Sequence, residues 1–187
     1  MAFLSELWLA ILVAAAVVFV VSSVIHMLLP LHKGEKQKLP DEDRLRSAFR
    51  AAGVRPGAYM VPCPGSMQEM SSPAMLAKYQ EGPVAQLMVL ENGTPRIGRS
   101  LVQWFLYSLL VGVVTAYLTR LAVAPGAAYL HVFRVAGTAA VLGYAVGDIQ
   151  DSIWKGRPWG ATARYVLDGV IYGLVTAGVF AAFWPAA

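Results

Sequence analysis

Three ionisable residues lie within or beside the apolar stretches of this chain, and their types are those that bind metal ions or carry protons. His26 lies near the end of an uncharged run from Leu7 to Leu31, and Asp151 and Asp168 lie beside two later apolar stretches. Charged groups that face the interior of a membrane bundle are functional candidates. One imidazole with two carboxylates can hold a divalent metal or relay a proton. The predicted metal site is therefore His26, Asp151 and Asp168.

The same residues also have a structural interpretation. A carboxylate such as Asp168 favours the first turn of a helix because it interacts with the helix dipole. Asp151 can simply pair with Lys155 or Arg157, and the histidine can be a packed residue that bonds to its own backbone. The sequence leaves both interpretations open.

Sulfur-containing side chains form a second group of potential metal ligands. Soft ligands of this kind select Cu(I), and the group consists of Met60, Cys63, Met67 and Met70. Methionine also fills irregular gaps in packing, which is the simpler explanation. No nucleophile elbow, phosphate-binding loop, kinase motif or metalloprotease motif is present. We therefore predict no cofactor and no catalytic residue.

The elements that would position these residues are membrane-spanning helices. Hydrophobic residues make up 57% of the chain and charged residues only 14%, about half the charged share of soluble domains. The apolar runs are long enough to cross a bilayer. The predicted fold is an all-α integral membrane protein, a four-transmembrane-helix bundle that forms one domain over residues 1–187. Its helices are expected at about 7–29, 101–121, 127–149 and 164–184.

A loop of about 69 residues, 30–98, separates the first two predicted helices. Within it, a short amphipathic helix is predicted at about 41–52, with Asp41 as its cap and an apolar stripe on one face. The following stretch, GAYMVPCPGSMQEMSSPAM, is rich in Pro, Gly and Ser and is expected to lack regular structure. The stretch PVAQLMVLENGTP is predicted to contain a short strand.

The basic residues predict the orientation of the bundle in the membrane. Of the fifteen Lys and Arg residues, thirteen lie in the long loop or in the connection between the third and fourth helices, and only Arg120 and Arg134 lie on the other side. Because Lys and Arg are retained in the cytoplasm, both termini are expected outside and the long loop inside. The partners expected for this charge are anionic lipid headgroups. Nucleic acid is not expected, since basic residues alternate with acidic ones.

Small residues recur every four positions in the last three predicted helices. Residues four apart share one helix face, and small side chains let membrane helices approach closely. The predicted packing residues are Ser108, Gly112, Ala139, Gly143, Gly147, Gly169, Gly173 and Ala177. Their number exceeds what four helices of this length need, which favours a homo-oligomer or a subunit of a larger membrane complex.

Four strings, SSVIHMLLPLHK, GAYMVPCP, GPVAQLMVLENG and QWFLYSLLVG, occur in this order. With them, most of the chain resembles a group of bacterial multi-pass inner-membrane proteins that have no assigned function. The resemblance implies a bacterial inner membrane and lends no catalytic residue, substrate or cofactor.

Two functions of different classes fit these observations. The first is a non-catalytic structural or accessory membrane protein that associates with itself or with a larger inner-membrane complex. The alternative is a small transporter or an ion- or metal-handling protein that uses a His/Asp cluster at the cytoplasmic mouth of the bundle. An enzyme is the third choice, because the sequence contains no catalytic constellation.

Overall fold

The computed structural model describes residues 2–187, and 69% of the chain is helical. Four helices are long and apolar enough to cross a membrane, as predicted. In order, the helices and strands are α1 (Ala2–Met27), α2 (Glu42–Ala51), β1 (Gly57–Val61), α3 (Met67–Met70), α4 (Pro73–Glu81), β2 (Ala85–Val89), α5 (Ile97–Ala122), α6 (Tyr129–Tyr144), α7 (Ile149–Lys155) and α8 (Trp159–Ala182). Turns of 3-10 helix lie at Pro30–His32 and Val146–Asp148.

The chain forms two compact units. The helical unit contains the residues up to Lys36 together with Arg96–Ala187, and the second unit is Gln37–Pro95. In the helical unit α1 packs against α5 and α8, and α6 packs against the same two helices. The start of α1 lies near the end of α5, where Glu6 pairs with Arg120. We call the opposite end, where α1 ends and α8 begins, the histidine end.

The small residues of α5 and α8 lie on buried faces. Ser108, Gly112 and Ala116 are buried on α5, and Gly169, Gly173 and Ala177 are buried on α8. A Cβ atom at Gly169 would lie 2.7 Å from the backbone of Tyr144 and Ala145. This distance is shorter than any normal contact, so α8 approaches the end of α6 as closely as a backbone without a side chain allows.

The third apolar segment differs from the prediction in its length and in its buried face. It is not continuous over 127–149, because α6 ends at Tyr144 and a 3-10 turn precedes α7. Its buried residues are Val132, Ala136, Gly137, Ala140 and Tyr144. The predicted line lies beside this face: Ala139 is half-buried, and a Cβ atom at Gly147 would have no neighbour within 4 Å. Only Gly143 makes a close approach, since its Cβ would lie 3.0 Å from Val111. On the buried face, a Cβ atom at Gly137 would lie 3.2 Å from Ala177 of α8. Small residues of α6 therefore meet α8 on this face rather than on the predicted line.

The second unit has more regular structure than predicted. The predicted helix is present as α2, and Asp41 caps it by accepting a hydrogen bond from the Arg44 amide. The stretch expected to be irregular contains β1, α3 and the start of α4, and β1 pairs antiparallel with β2. Ser66 and Ser72 cap α3 and α4, and Pro73 occupies the first turn of α4. Serine caps and proline at the first helical position therefore start helices in a stretch whose composition predicted none.

The contact between α6 and α8 can be tested with an added methyl group. A Cβ atom at Gly173 would lie 2.9 Å from the Val141 amide nitrogen. We expect Gly173→Ala to destabilise the helical unit by about 1–3 kcal/mol, because overpacking outweighs the higher helix propensity of alanine. Gly147→Ala is the matched control and should change stability by less than about 0.5 kcal/mol. Thermal unfolding in one detergent measures both, and equal midpoints would contradict the close approach.

Candidate metal centre

The end of α1 and the turn that follows it place two imidazoles side by side. Pro30 cannot donate a backbone hydrogen bond to continue α1, so the chain leaves the helix and forms a 3-10 turn over Pro30–His32. This turn carries His32 back towards His26, and the centroids of the two rings lie 4.4 Å apart. The His26 side chain is 42% exposed and that of His32 only 13%.

The third member of the cluster comes from α8. The Asp168 side chain is buried, and its Oδ2 atom lies 2.8 Å from His32 Nε2 and 3.6 Å from His26 Nε2. One ligand atom from each of the three residues can be chosen so that all lie within 4.8 Å of one another. We call His26, His32 and Asp168 the His/Asp cluster. Two imidazole nitrogens and one carboxylate oxygen are a donor set that binds divalent transition metals.

A second layer of polar contacts holds His32 in place. Glu35 Oε1 lies 2.9 Å from His32 Nδ1 and accepts a hydrogen bond of 2.8 Å from Arg164 Nε. Burial of the Glu35 carboxyl opposes its ionisation, but the hydrogen bonds from Arg164 and His32 outweigh burial and hold its pKa below the usual range. A carboxylate on the second nitrogen of a ligating histidine fixes the ring orientation and the tautomer. Glu35 is therefore positioned to direct His32 Nε2 towards the cluster.

Two tyrosines of α8 line the same region. The hydroxyl of Tyr172 lies 3.4 Å from His26 Nε2, and the Tyr165 ring lies 5.1 Å from the His32 ring, centroid to centroid. The Arg157 guanidinium also lies over the Tyr165 ring, 4.9 Å from its centroid. Beside the cluster is a cavity of about 470 Å³ whose lining includes His26, Asp168 and Tyr172.

The structure brings two of the three predicted site residues together and leaves the third apart. Asp151 lies on α7, where it pairs with Lys155 at 2.6 Å and also with Arg157. The third segment breaks after Tyr144, so Asp151 does not continue the helical line of Ala139 and Gly143, and that line itself lies beside the buried face of α6. The contacts of Asp151 are therefore those of an ion-pair partner, the structural interpretation given above.

The residues that sequence reasoning missed are His32, Glu35 and Arg164. His32 lies just after Pro30 and beyond the apolar run, a position at which the sequence predicts a surface residue. The available signal was local: a second histidine six positions after the first, with a helix-ending proline between them. Cys63 is not in the His/Asp cluster and is exposed, and copper binding by the sulfur-containing stretch stays a prediction.

Comparison with known proteins found no match for this chain among protein-family models, curated proteins or solved structures.

The docking of the segment that carries His32 can be tested by proteolysis. Glu35→Ala removes the contacts to both His32 and Arg164, and hydrogen bonds to charged groups contribute about 1.5–3 kcal/mol each. We expect the exposed sites at Lys33 and Lys36 to become sensitive to trypsin, with cleavage roughly tenfold faster. Asp43→Ala, which breaks an exposed ion pair on α2, is the control and should leave these sites unchanged. Mass mapping of timed digests gives both rates, and an unchanged rate for Glu35→Ala would mean that other contacts hold the segment.

Proposed function

We propose that this chain is an integral membrane protein that binds a divalent transition-metal ion through His26, His32 and Asp168. The observation that carries the proposal is the convergence of two imidazole nitrogens and one carboxylate oxygen within 4.8 Å. Two ligands on a tetrahedral zinc ion lie roughly 3.4 Å apart, given bond lengths of about 2.0–2.1 Å. The contacts of Asp168 with His32 and His26, at 2.8 and 3.6 Å, lie close to that spacing.

The contacts around the cluster also support a metal. Ligating histidines commonly donate their other N–H to a carboxylate, and Glu35 is at hydrogen-bond distance from His32 Nδ1. Three protein ligands are fewer than the four or more that such ions take, so a metal here would also bind water or another small molecule.

The arrangement has a competing occupant, the proton. His32 has a carboxylate oxygen near each ring nitrogen, Glu35 on one side and Asp168 on the other. A doubly protonated imidazolium satisfies both contacts. A metal requires a neutral imidazole, so its binding releases a proton and weakens as the pH is lowered. A purely structural His/Asp cluster would hold the proton and take up no metal.

Metal binding can be measured with Co²⁺, whose visible bands report the ligands directly. We expect one Co²⁺ per chain in nanodiscs, and His26→Ala, His32→Ala and Asp168→Ala should each remove a ligand and weaken binding by at least 100-fold. Glu35→Gln should weaken it about 10–100-fold, as outer-shell changes do. His131→Ala is the control, because this histidine is exposed at the start of α6, and it should have no effect. Identical Co²⁺ titrations of the wild type and His32→Ala would refute the site.

We further propose that the protein lies in a bacterial inner membrane, with both termini outside and the long loop in the cytoplasm. The support is the distribution of the basic residues: thirteen Lys and Arg lie on the side of the long loop and two on the other side. Lys and Arg are retained on the cytoplasmic side of a membrane. In this orientation the histidine end faces the cytoplasm. The His/Asp cluster would then take its metal from the cytoplasmic side, at the mouth of the bundle.

Reporter fusions test this orientation. Alkaline phosphatase needs disulfides and is active only in an oxidising compartment. A fusion after Ala187 should be active, whereas a fusion near Gly65 should be inactive although the protein is made in equal amount. A green fluorescent protein fused at the same two positions should give the opposite pattern. An active phosphatase near Gly65 would reverse the orientation.

Association with a further copy or with a larger membrane complex is a second proposal, compatible with metal binding. It is supported by two small residues outside the buried face of α6, Ala139 on α6 itself and Gly147 in the 3-10 turn that follows it. Gly147 is exposed and Ala139 is only half-buried, so both are accessible to another helix. In that case the chain would be an accessory subunit whose metal site has a structural role.

A further inference from the structure

The cavity beside the His/Asp cluster has the size and the lining of a ligand site. Its volume of about 470 Å³ falls in the range of about 300–1,000 Å³ that is typical of small-molecule pockets. Residues of α1, α5, α6 and α8 line it, together with Asp148 from the turn after α6. All of these belong to the helical unit.

Five aromatic side chains dominate the wall: Trp104, Tyr107, Tyr144, Tyr165 and Tyr172. Four of them contact one another. Trp104 lies 5.6 Å from Tyr107 and 5.7 Å from Tyr172, centroid to centroid. Rings held by each other in this way form a rigid apolar surface, and aromatic pairs prefer stacked or edge-to-face contacts with another ring. The wall therefore favours a flat aromatic body over a flexible chain.

The polar groups of the wall determine what the ligand must supply. The main donors are already used: Trp104 Nε1 donates to Ser22 Oγ at 2.8 Å, and the Tyr107 hydroxyl donates to the Gly143 carbonyl at 2.5 Å. The carboxylates of Asp148 and Asp168 are the acceptors of the wall, although Asp148 also pairs with Arg157 and Asp168 with His32. The lining itself includes no Lys or Arg. A ligand with its own O–H donor suits these acceptors, whereas the two carboxylates repel an anionic ligand and oppose the attraction that a bound metal would exert on it.

The cavity and the cluster share two side chains. His26 and Asp168 belong to the His/Asp cluster and also line the cavity. A small molecule in the cavity could therefore reach the remaining coordination positions of a metal bound as proposed above. The positive charge of that metal would repel an organic cation, which the aromatic wall and the two carboxylates would otherwise attract.

We propose that this cavity binds a neutral hydroxylated aromatic molecule of the phenol class. Its ring packs against Trp104 and the tyrosines, and its hydroxyl oxygen completes the coordination of the metal. The O–H proton has carboxylate acceptors on the wall at Asp148 and Asp168. This inference rests on the proposed metal site, and it adds the chemical class of the second ligand.

The test uses Co²⁺-loaded protein in nanodiscs and two probes of matched size. The first probe is 2-naphthol, and the second is 2-methoxynaphthalene, which has the same rings but no O–H donor. We expect 2-naphthol to shift the visible Co²⁺ bands in a saturable way and the ether to leave them unchanged. Trp104→Leu should weaken the 2-naphthol effect about 3–10-fold through lost ring contact while Co²⁺ affinity stays the same. Trp8→Leu, at an exposed position of α1, is the control for general loss of a tryptophan.

The remaining outcomes separate a failure of the phenol site from a failure of the metal site. If Co²⁺ binds and neither probe moves its bands, or if both probes move them equally, this inference is overturned and the metal site stands. A shift with tetraphenylphosphonium but not with 2-naphthol would overturn it in favour of an organic cation. If Co²⁺ does not bind, the proposed function fails, and the inference fails with it.

Discussion

Burial of the Asp168 carboxylate is the constraint on which the histidine end of the bundle depends. The residue is only 3% exposed, and its neighbour Gly169 lies where α8 touches the backbone of α6. Burying a carboxylate without a partner costs several kcal/mol or forces the group to take up a proton. No residue of α8 supplies this partner. It comes from the turn after α1, so the chain has to leave its first helix and fold back across α8.

The way in which this segment folds back is set by matched spacings. His32 and Glu35 lie three positions apart at the turn, and Arg164 and Asp168 lie four apart on one face of α8. His32 meets Asp168 while Glu35 meets Arg164. Two acids thus alternate with a histidine and an arginine, and each carboxylate lies within hydrogen-bond distance of a nitrogen of its partner. The paired arrangement explains why a polar segment can lie against an apolar helix bundle.

The sequence predicts the four long helices and the helix at α2 well, because apolar runs and caps are local signals. It predicts half of the arrangement at the cluster. His26 stands out as an imidazole inside an apolar run, and Asp168 as a carboxylate in the first turn of the fourth predicted helix. The structure corrects that placement, because α8 begins at Trp159 and Asp168 lies well inside the helix, beyond its first turn. His32 could not be found in this way, since its importance arises only when the turn after Pro30 has folded. The same limit applies to α6. Its small residues include Ala139 on the predicted line and Ala136 and Ala140 on the buried face, and spacing alone does not say which of them faces a neighbouring helix.

The close pairing of the first and last long helices also sets an order of events. His32 and Asp168 are 136 positions apart in the chain, so one half of the cluster emerges from the ribosome long before the other half exists. The contact can form only after α8 has been made. While most of the protein is being synthesised, His32 therefore lacks its contact with Asp168. Completion of the His/Asp cluster therefore coincides with completion of the bundle, and a chain truncated before α8 would have no means of acquiring the site.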